Sequence, residues 1–276
     1  MSAAPGRPKQ ARTAAHQGEG TPVTSLLSVK QLVRRFGGLV ATDHFNLELP
    51  AGEAHALIGP NGAGKTTVMG QLTGELLPDE GHIVFDGQDI TRWPAPQRAL
   101  AGIARSYQIT QLLKGFSVLE NVMLMVQARL GHSFGAWTPV RKQARLVEPA
   151  MQALQQAGIA TRAHDDVMAL AHGEHRQLEL AMALAMQPRL LLLDEPLAGM
   201  SQSESAMMVE LLQGLKRHYT ILLVEHDMQA VFSLADRVSV LVYGKCIACG
   251  TPAEIQADEA VRQAYLGDED MAEASA

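Results

Sequence analysis

One glycine-rich stretch indicates the fold of this chain: Gly59-Pro60-Asn61-Gly62-Ala63-Gly64-Lys65-Thr66-Thr67. It fits the phosphate-binding pattern G-x-x-x-x-G-K-[ST]. The glycines let successive backbone N–H groups point at a polyphosphate, and the helix that follows directs its positive N-terminal end at the same charge. In such a loop the ammonium group of Lys65 reaches the outer phosphates, and the hydroxyl of Thr66 binds Mg²⁺.

The residues on either side of this phosphate-binding loop support the assignment. Residues 53–58 have the pattern of a short strand, and Val68, Met69 and Leu72 follow the loop at roughly helical spacing. A strand, a glycine-rich loop and a helix are the setting that the motif requires, which favours it over a chance glycine-rich turn. By itself, the loop predicts only that the chain binds a nucleoside triphosphate.

The bulk composition narrows the class of protein. The chain has 276 residues, of which 47% are hydrophobic and only 4% aromatic, so we expect a core of aliphatic side chains and Met. A net charge of −6 and a pI near 5.9 argue against a nucleic-acid partner. The sequence has no run of about 18 apolar residues and no apolar stretch of signal-peptide type at its start. We therefore expect a cytoplasmic chain.

The two cysteines, Cys246 and Cys249, form a C-x-x-C motif. A redox pair and half of a zinc site are both possible interpretations, but the chain has no second cysteine pair to complete a zinc site. Residues 238–250 have the pattern of two strands joined by a tight turn. Residues three apart on a strand point to opposite faces, which is poor geometry for a disulfide, so we interpret both as reduced structural thiols.

The chain divides into segments of different character. Residues 1–25 contain almost no large apolar side chain and are predicted to be a disordered tail, as are residues 268–276. Helical patterns from Val118 to Leu130 and from about Pro139 predict an inserted helical subdomain over about 109–187. Strands that alternate with helices elsewhere indicate a doubly wound α/β core, within one domain of residues 26–267.

Short local signals define several elements of that domain. Residues 26–29, 45–49 and 81–87 have strand patterns. Ser117 with Glu120, and Thr251 with Glu254, are capping boxes that each predict the start of a helix.

Charged residues follow two apolar strands of the predicted core. Asp194 and Glu195 come directly after four leucines, and His226 comes after residues 220–224. Ligands of such sheets bind at the carboxyl ends of the strands. We expect Asp194 to share Mg²⁺ with Thr66 and Glu195 to orient the attacking water. His226 either hydrogen-bonds the γ-phosphate or has a structural role.

These motifs, in this order, resemble the ATP-binding subunits of ATP-binding-cassette (ABC) transporters over nearly all of residues 26–267. The resemblance implies a phosphate-loop NTPase core with an antiparallel β subdomain and an inserted α-helical subdomain. It assigns Phe36 to stacking on adenine, although the isolated sequence favours a core aromatic at a strand end. Gln108 matches the glutamine that contacts Mg²⁺ and relays to the membrane partner, Glu195 the catalytic carboxylate, and His226 the switch histidine.

The same resemblance identifies residues 170–174 as the signature motif, which reaches ATP held by the opposite subunit. Its expected nucleotide contacts are Ala171, Gly173 and Glu174. The family usually has serine where this chain has Ala171, so a hydroxyl contact to the γ-phosphate is lost. Ser201 likewise replaces a commoner acidic or amide residue. Our hypothesis is that this chain's signature completes the weaker of two unequal ATP sites.

Finer features are similar to the branched-chain amino-acid importer branch, namely residues 36–39, 108–110 and 264–267. This branch implies a second, non-identical ATPase subunit, two transmembrane permeases and, indirectly, a solute-binding protein, with the chain at the cytoplasmic face of the inner membrane. Close relatives handle urea or short amides. Two alternatives are disfavoured. A soluble cassette ATPase of translation or DNA repair predicts two fused cassettes or a long coiled-coil insertion, and the sequence contains neither. A nucleotide-binding module without turnover would not need Glu195, Gln108 and His226 together.

Overall fold

The computed structural model describes residues 25–106, 112–131 and 144–263. Its strands are β1 (Ser25–Phe36), β2 (Leu39–Pro50), β3 (Ala54–Ile58), β4 (Glu80–Phe85), β5 (Gln88–Asp89), β6 (Ile103–Ser106), β7 (Leu190–Asp194), β8 (Thr220–Val224), β9 (Arg237–Val242) and β10 (Lys245–Gly250). Its α-helices are α1 (Lys65–Thr73), α2 (Ala95–Ala101), α3 (Val118–Leu130), α4 (Ala144–Gln156), α5 (His172–Ala185), α6 (Gln202–Leu215), α7 (Met228–Leu234) and α8 (Pro252–Ala257). None of the helices in these ranges is long and apolar enough to cross a bilayer.

Some of the sequence predictions concern other residues. Gln108, residues 264–267 and the C-terminal tail lie outside the described residues, as does the N-terminal tail up to residue 24. Ser25, which the sequence assigns to that tail, is the first residue of β1 and pairs with Pro50 of β2.

The strands form two sheets. The smaller is antiparallel, in the order β2-β1-β4-β5, and is the predicted antiparallel β subdomain. The larger has the order β10-β9-β3-β8-β7-β6, and its neighbours run parallel except for β9 and β10. This arrangement confirms the predicted α/β fold class.

The central parallel strands are apolar throughout because both faces are covered. Every residue of β3, β7 and β8 is buried, as expected for parallel strands between helical layers. Val224 at the end of β8 is in register with Leu57 of β3 and Asp194 of β7. The carboxyl ends of the three strands therefore meet at one edge of the sheet.

The inserted helices pack on one side of this sheet. Helices α3, α4 and α5 contact each other, and their apolar side chains share a core with Leu191 and Leu193 of β7. The capping box that starts α3 is formed as predicted, since Ser117 Oγ accepts from Glu120 N and Ser117 N donates to Glu120 Oε2. The box of Thr251 and Glu254 starts α8 in the same way.

A second core holds α1 between the two sheets. Met69 and Leu72 of α1 lie in one cluster with Phe45 of the antiparallel sheet and Leu190 and Leu192 of β7. Because α1 directly follows the phosphate-binding loop, this packing places the loop at the junction of the two sheets.

The strands of the antiparallel sheet are longer than predicted. The sequence predicts residues 26–29 and 45–49, but β1 continues to Phe36 and β2 begins at Leu39. Polar residues such as Lys30 and Arg35 occupy exposed positions of β1. An antiparallel sheet with one solvated face tolerates such polar residues. They interrupt the apolar pattern by which the strand would be recognised in the sequence.

Candidate functional site

The phosphate-binding loop is wedged against two neighbouring strands. A Cβ on Gly59 would lie 2.0 Å from the carbonyl oxygen of Leu241, and one on Gly64 would lie 2.1 Å from that of Ala41. The N–H of Gly244 also donates to the carbonyl of Ala63 at 2.9 Å. These close approaches explain why glycine is required at both positions, beyond the left-handed φ of 105° at Gly64.

The ammonium group of Lys65 is held over the loop. This buried side chain donates from Nζ to the carbonyl oxygens of Gly59 at 2.6 Å and Pro60 at 2.9 Å. Burial lowers the pKa of Lys65, and the nearby charges of Glu195 and Asp194 oppose that change. Phosphate oxygens are stronger partners than neutral carbonyls, so a bound polyphosphate can draw the ammonium group from the loop.

The charged residues predicted at the strand ends lie together. Asp194 is the last residue of β7, and the N–H of Glu195 donates to the carbonyl of Val224 on β8 at 2.8 Å. The carboxylate Oε1 of Glu195 lies 2.7 Å from Nε2 of His226. Glu195 has a left-handed φ of 50°, which is uncommon for a residue with a side chain. The structure thus brings Lys65, Asp194, Glu195 and His226 to one edge of the parallel sheet.

Phe36 lies at the end of β1, opposite Leu39 in the hairpin. Its side chain is 44% exposed, so it is not the core aromatic that the isolated sequence favours. One side of the ring is covered by the guanidinium of Arg34, whose Cζ lies 4.9 Å from the ring centroid.

The residues of the predicted signature motif lie at the start of α5. Ala171 is the N-cap residue and has no side-chain acceptor, while its N–H donates to Glu174 Oε2 at 2.8 Å. Glu174 also pairs with Arg162 at 3.1 Å. The helix therefore begins with half of a capping box, because alanine cannot supply the other half.

The signature is joined to the loop after Glu195. His172 Nε2 lies 3.2 Å from the carbonyl oxygen of Ala198. Glu204 also approaches the motif closely, because a Cβ added to Gly173 would lie only 2.7 Å from Oε1 of Glu204. Ser201, the second unusual residue, caps α6, because its hydroxyl accepts from Glu204 N and donates to Glu204 Oε2. Hydrogen bonds from Ser201 are the main cause of the lowered pKa of Glu204.

Comparison with known proteins identifies the family. A family model described as ABC transporter matches residues 42–198, and one described as branched-chain amino acid ATP-binding cassette transporter matches residues 245–271. The high-affinity branched-chain amino acid transport ATP-binding protein LivG of Escherichia coli is 40% identical over 250 residues, which cover 88% of this chain and 98% of LivG. The chain belongs to the ABC transporter family.

Another relative and two solved structures support the same family assignment for this ABC chain. The high-affinity branched-chain amino acid transport ATP-binding protein BraF of Pseudomonas aeruginosa is 36% identical over 88% of the chain and 98% of BraF. A nucleotide-free ATP-binding cassette from an ABC transporter has a similar structure, with a TM-score of 0.78, 28% identity and coverage of 88% of this chain and 99% of that one. The ADP conformation of an ATP-binding cassette matches with the same TM-score at 27% identity, covering 88% and 99%.

The side chains available to Mg²⁺ in this ABC ATPase have suitable chemistry. Thr66 is exposed in the first turn of α1, and its hydroxyl together with the Asp194 carboxylate offers the oxygen ligands that Mg²⁺ prefers. Gln108, the third predicted ligand, lies outside the described residues. The donor types therefore fit the ion.

Sequence reasoning missed Arg105, which contacts the predicted metal ligand. This residue of β6 donates from Nη2 to Asp194 Oδ2 at 2.5 Å and from Nη1 to Glu75 at 2.8 Å. Arg105 and Leu192 are in register on the neighbouring strands β6 and β7. The strand order, which the sequence alone does not reveal, makes Asp194 and Arg105 partners.

Sequence reasoning also missed Glu225, which lies between the buried strand β8 and His226. Its side chain is buried, and its carboxylate accepts from Leu197 N at 2.7 Å and from His226 N at 2.9 Å. Burial raises the pKa of Glu225, and the backbone N–H groups that it accepts from oppose that change. The sequence did offer one signal for Glu225, because it is a carboxylate directly after an apolar strand. The resemblance to the family assigned the function at this strand end to the neighbouring His226 instead.

Proposed function

We propose that this ABC ATPase is the ATP-hydrolysing subunit of an importer for branched-chain amino acids. The pairing of Glu195 with His226 at 2.7 Å, at the strand edge that also holds Asp194 and Lys65, carries the proposal of hydrolysis. The proposed solute rests on the relatives LivG and BraF and on the family match over residues 245–271.

In this proposal Glu195 polarises water for in-line attack on the γ-phosphate of ATP. His226 holds the Glu195 carboxylate in place and hydrogen-bonds the γ-phosphate. Lys65 leaves its two carbonyl partners to offset the charge that develops on the phosphate oxygens. Bound Mg²⁺ adds positive charge at the phosphates, with Thr66, Asp194 and Gln108 as the residues that would hold it.

The remaining predicted contacts are to the nucleotide. Phe36 stacks on adenine with the ring face that Arg34 leaves uncovered, and the backbone of the phosphate-binding loop surrounds the phosphates. The signature residues Ala171, Gly173 and Glu174 bind ATP held by the opposite subunit, at the N-terminal end of α5.

The proposed partners follow from the family. Two ATPase subunits, the second a non-identical paralogue, hold two ATP molecules between them and drive two transmembrane permeases, which receive solute from a solute-binding protein. The chain then works as a peripheral protein at the cytoplasmic face of the inner membrane.

Substitution of the proposed catalytic carboxylate tests the hydrolysis. We expect Glu195→Gln to lower kcat for ATP hydrolysis by about 100-fold or more, while ATP still binds and holds the subunits as a dimer. Glu210→Gln is the matched control, because Glu210 is an exposed glutamate on α6. Turnover at the wild-type rate in the Glu195 variant would contradict the proposal, and dimers that do not depend on ATP would contradict the trapped state.

Transport assays test the solute. Cells that depend on this chain should take up labelled leucine with the wild-type chain and lose that uptake with Glu195→Gln. Uptake of urea or a short amide in place of leucine would indicate that the importer carries that class of solute and would contradict the proposed branched-chain amino acid. Normal uptake of all of these with the variant would favour an ABC ATPase outside transport.

A further inference from the structure

We propose that Glu225 is a positioning residue for ATP hydrolysis, because it fixes the loop after Glu195 relative to His226. This inference rests on the proposed function, in which Glu195 and His226 act on water and the γ-phosphate. Among the described residues, the hydrogen bonds of Glu225 run to the backbone of Leu197, His226 and Asp227, and not to the phosphate-binding loop, Thr66 or Asp194.

The two carboxylate oxygens of Glu225 have different partners. Oε1 accepts from the N–H of Leu197, two residues beyond Glu195, and Oε2 accepts from the N–H of His226. The N–H of Asp227 also contributes a hydrogen bond. One buried side chain thus connects the backbone segments that carry the two proposed catalytic groups.

Two hydrogen bonds attach the segment that begins at Glu195 to the end of β8 and the residue that follows it. The N–H of Glu195 donates to Val224 O at 2.8 Å, and the N–H of Leu197 donates to Glu225 at 2.7 Å. Glu195 between them has its left-handed φ of 50°. Such a backbone conformation persists only where the surroundings impose it, and these two bonds supply that constraint.

A carboxylate suits this position better than a neutral side chain. Both of its oxygens accept hydrogen bonds, whereas the amide of glutamine accepts with one oxygen and presents N–H groups at the other site. In Glu225→Gln an N–H group would face the N–H of either Leu197 or His226. The variant therefore keeps the shape of the side chain and removes one of the two links.

The same links extend to the signature motif. Leu197 precedes Ala198, whose carbonyl oxygen lies 3.2 Å from His172 Nε2 at the start of α5. A shift of the loop after Glu195 would therefore also move a contact of the signature.

Steady-state ATPase kinetics of the assembled transporter, which contains the full chain, test the inference. We expect kcat for ATP hydrolysis to fall by about 10- to 100-fold in Glu225→Ala and by less in Glu225→Gln, since a displacement of about 1 Å costs this much. The KM for ATP should stay within about two-fold of the wild-type value, because the ground-state contacts are intact. A general loss of structure would instead raise KM and lower the melting temperature together.

Asp236→Asn is the matched control. Asp236 is also a carboxylate that accepts from a backbone N–H beside a central strand, that of Ala54 at 2.9 Å, but it has no link to Glu195. This variant should keep the wild-type kcat. A kcat in Glu225→Ala within about two-fold of wild type, or an equal loss in the control, overturns the inference.

A double variant shows whether Glu225 acts through Glu195. Once Glu195→Gln has removed the carboxylate, adding Glu225→Ala should lower the residual rate by a smaller factor than it lowers the wild-type rate. The same fold-loss in both backgrounds would mean that Glu225 acts independently of Glu195 and would overturn the inference.

Hydrogen exchange in the wild-type chain provides a measurement that needs no folded variant. The amides of Leu197 and His226 should exchange more than about 100-fold slower than in an unstructured chain. Exchange at the unstructured rate overturns the inference. A wild-type chain that binds but does not hydrolyse ATP in the assembled transporter overturns the proposed function itself, whereas normal hydrolysis with unaffected Glu225 variants overturns the inference alone.

Discussion

Arg98 binds the C-terminal end of α1, the helix that follows the phosphate-binding loop. It is completely buried, and its guanidinium donates to the carbonyl oxygens of Gln71, Leu72, Thr91 and Trp93. Burial lowers the pKa of Arg98 to about 10, so it remains charged at neutral pH. Two of its acceptors belong to the last turn of α1, where carbonyl groups lack partners within the helix.

Removing this guanidinium should destabilise the fold. We expect Arg98→Ala to lower the free energy of unfolding by about 3 kcal/mol or more, because it leaves buried carbonyl groups without a donor. Urea denaturation measures the change. Arg92→Ala is the control, since Arg92 is exposed and should cost less than about 1 kcal/mol. Equal midpoints for the two variants would contradict this role.

The residues of the site differ in how visible they are in the sequence. Lys65, Asp194, Glu195 and His226 could be predicted because each follows an apolar strand or belongs to a spaced motif. Arg98 could not, because nothing near it in the sequence identifies the backbone groups to which it binds. Glu225 follows an apolar strand too, but its bond to the distant Leu197 cannot be inferred from that pattern. Those partners are set by packing.

At the scale of elements, the start of α5 has an incomplete cap. Ala171 occupies the N-cap position and offers no side-chain acceptor to the N–H of Glu174, whereas the Ser117 and Thr251 caps of α3 and α8 are complete. The unusual residue of the signature thus weakens a helix end as well as an expected nucleotide contact.

Restoring a hydroxyl tests both consequences. We expect Ala171→Ser to stabilise the chain by about 0.5–2 kcal/mol through the completed capping box, and to raise the ATPase activity of the assembled transporter because the hydroxyl can reach the γ-phosphate. Thermal unfolding and ATP turnover measure the two effects separately.

Ala128→Ser provides the control for Ala171→Ser, because Ala128 is an exposed residue within α3 and its hydroxyl has no cap to complete. It should raise neither stability nor turnover. If Ala171→Ser stabilises the chain but leaves turnover unchanged, the hypothesis of unequal ATP sites is wrong.

Elements with strong local patterns were predicted well. The fully apolar strands and the capping boxes needed only neighbouring residues. The hairpin of β1 and β2 was predicted too short, because its solvated face admits residues such as Lys30 and Arg35 that break the apolar pattern.

At the scale of the whole molecule, the phosphate-binding loop joins the two sheets. Gly59 packs on β9 of the parallel sheet, and Gly64 packs on β2 of the antiparallel sheet. Any side chain at Gly64 would push the sheets apart at the point where the phosphates bind.

Substitutions at two glycines of the phosphate-binding loop can distinguish this packing effect from backbone strain. Gly62 and Gly64 both have left-handed φ values, 79° and 105°, but a Cβ on Gly62 would meet nothing within 4 Å. We expect Gly62→Ala to cost about 1 kcal/mol of stability, and Gly64→Ala to cost at least about 2 kcal/mol more and to weaken ATP binding. Urea denaturation and equilibrium binding of ATP measure this. Similar losses in both variants would show that strain alone matters.

The sequence by itself determined the phosphate-binding loop, the buried strands with their charged ends, and the family. Each of these is a local pattern that can be recognised from the spacing of apolar, glycine and capping residues. Tertiary structure alone decided that Arg105 meets Asp194, that Glu225 binds the loop after Glu195, and that Gly64 touches Ala41. These contacts join residues far apart in the chain, and they exist only because the strand order and the packing of α1 bring those segments together.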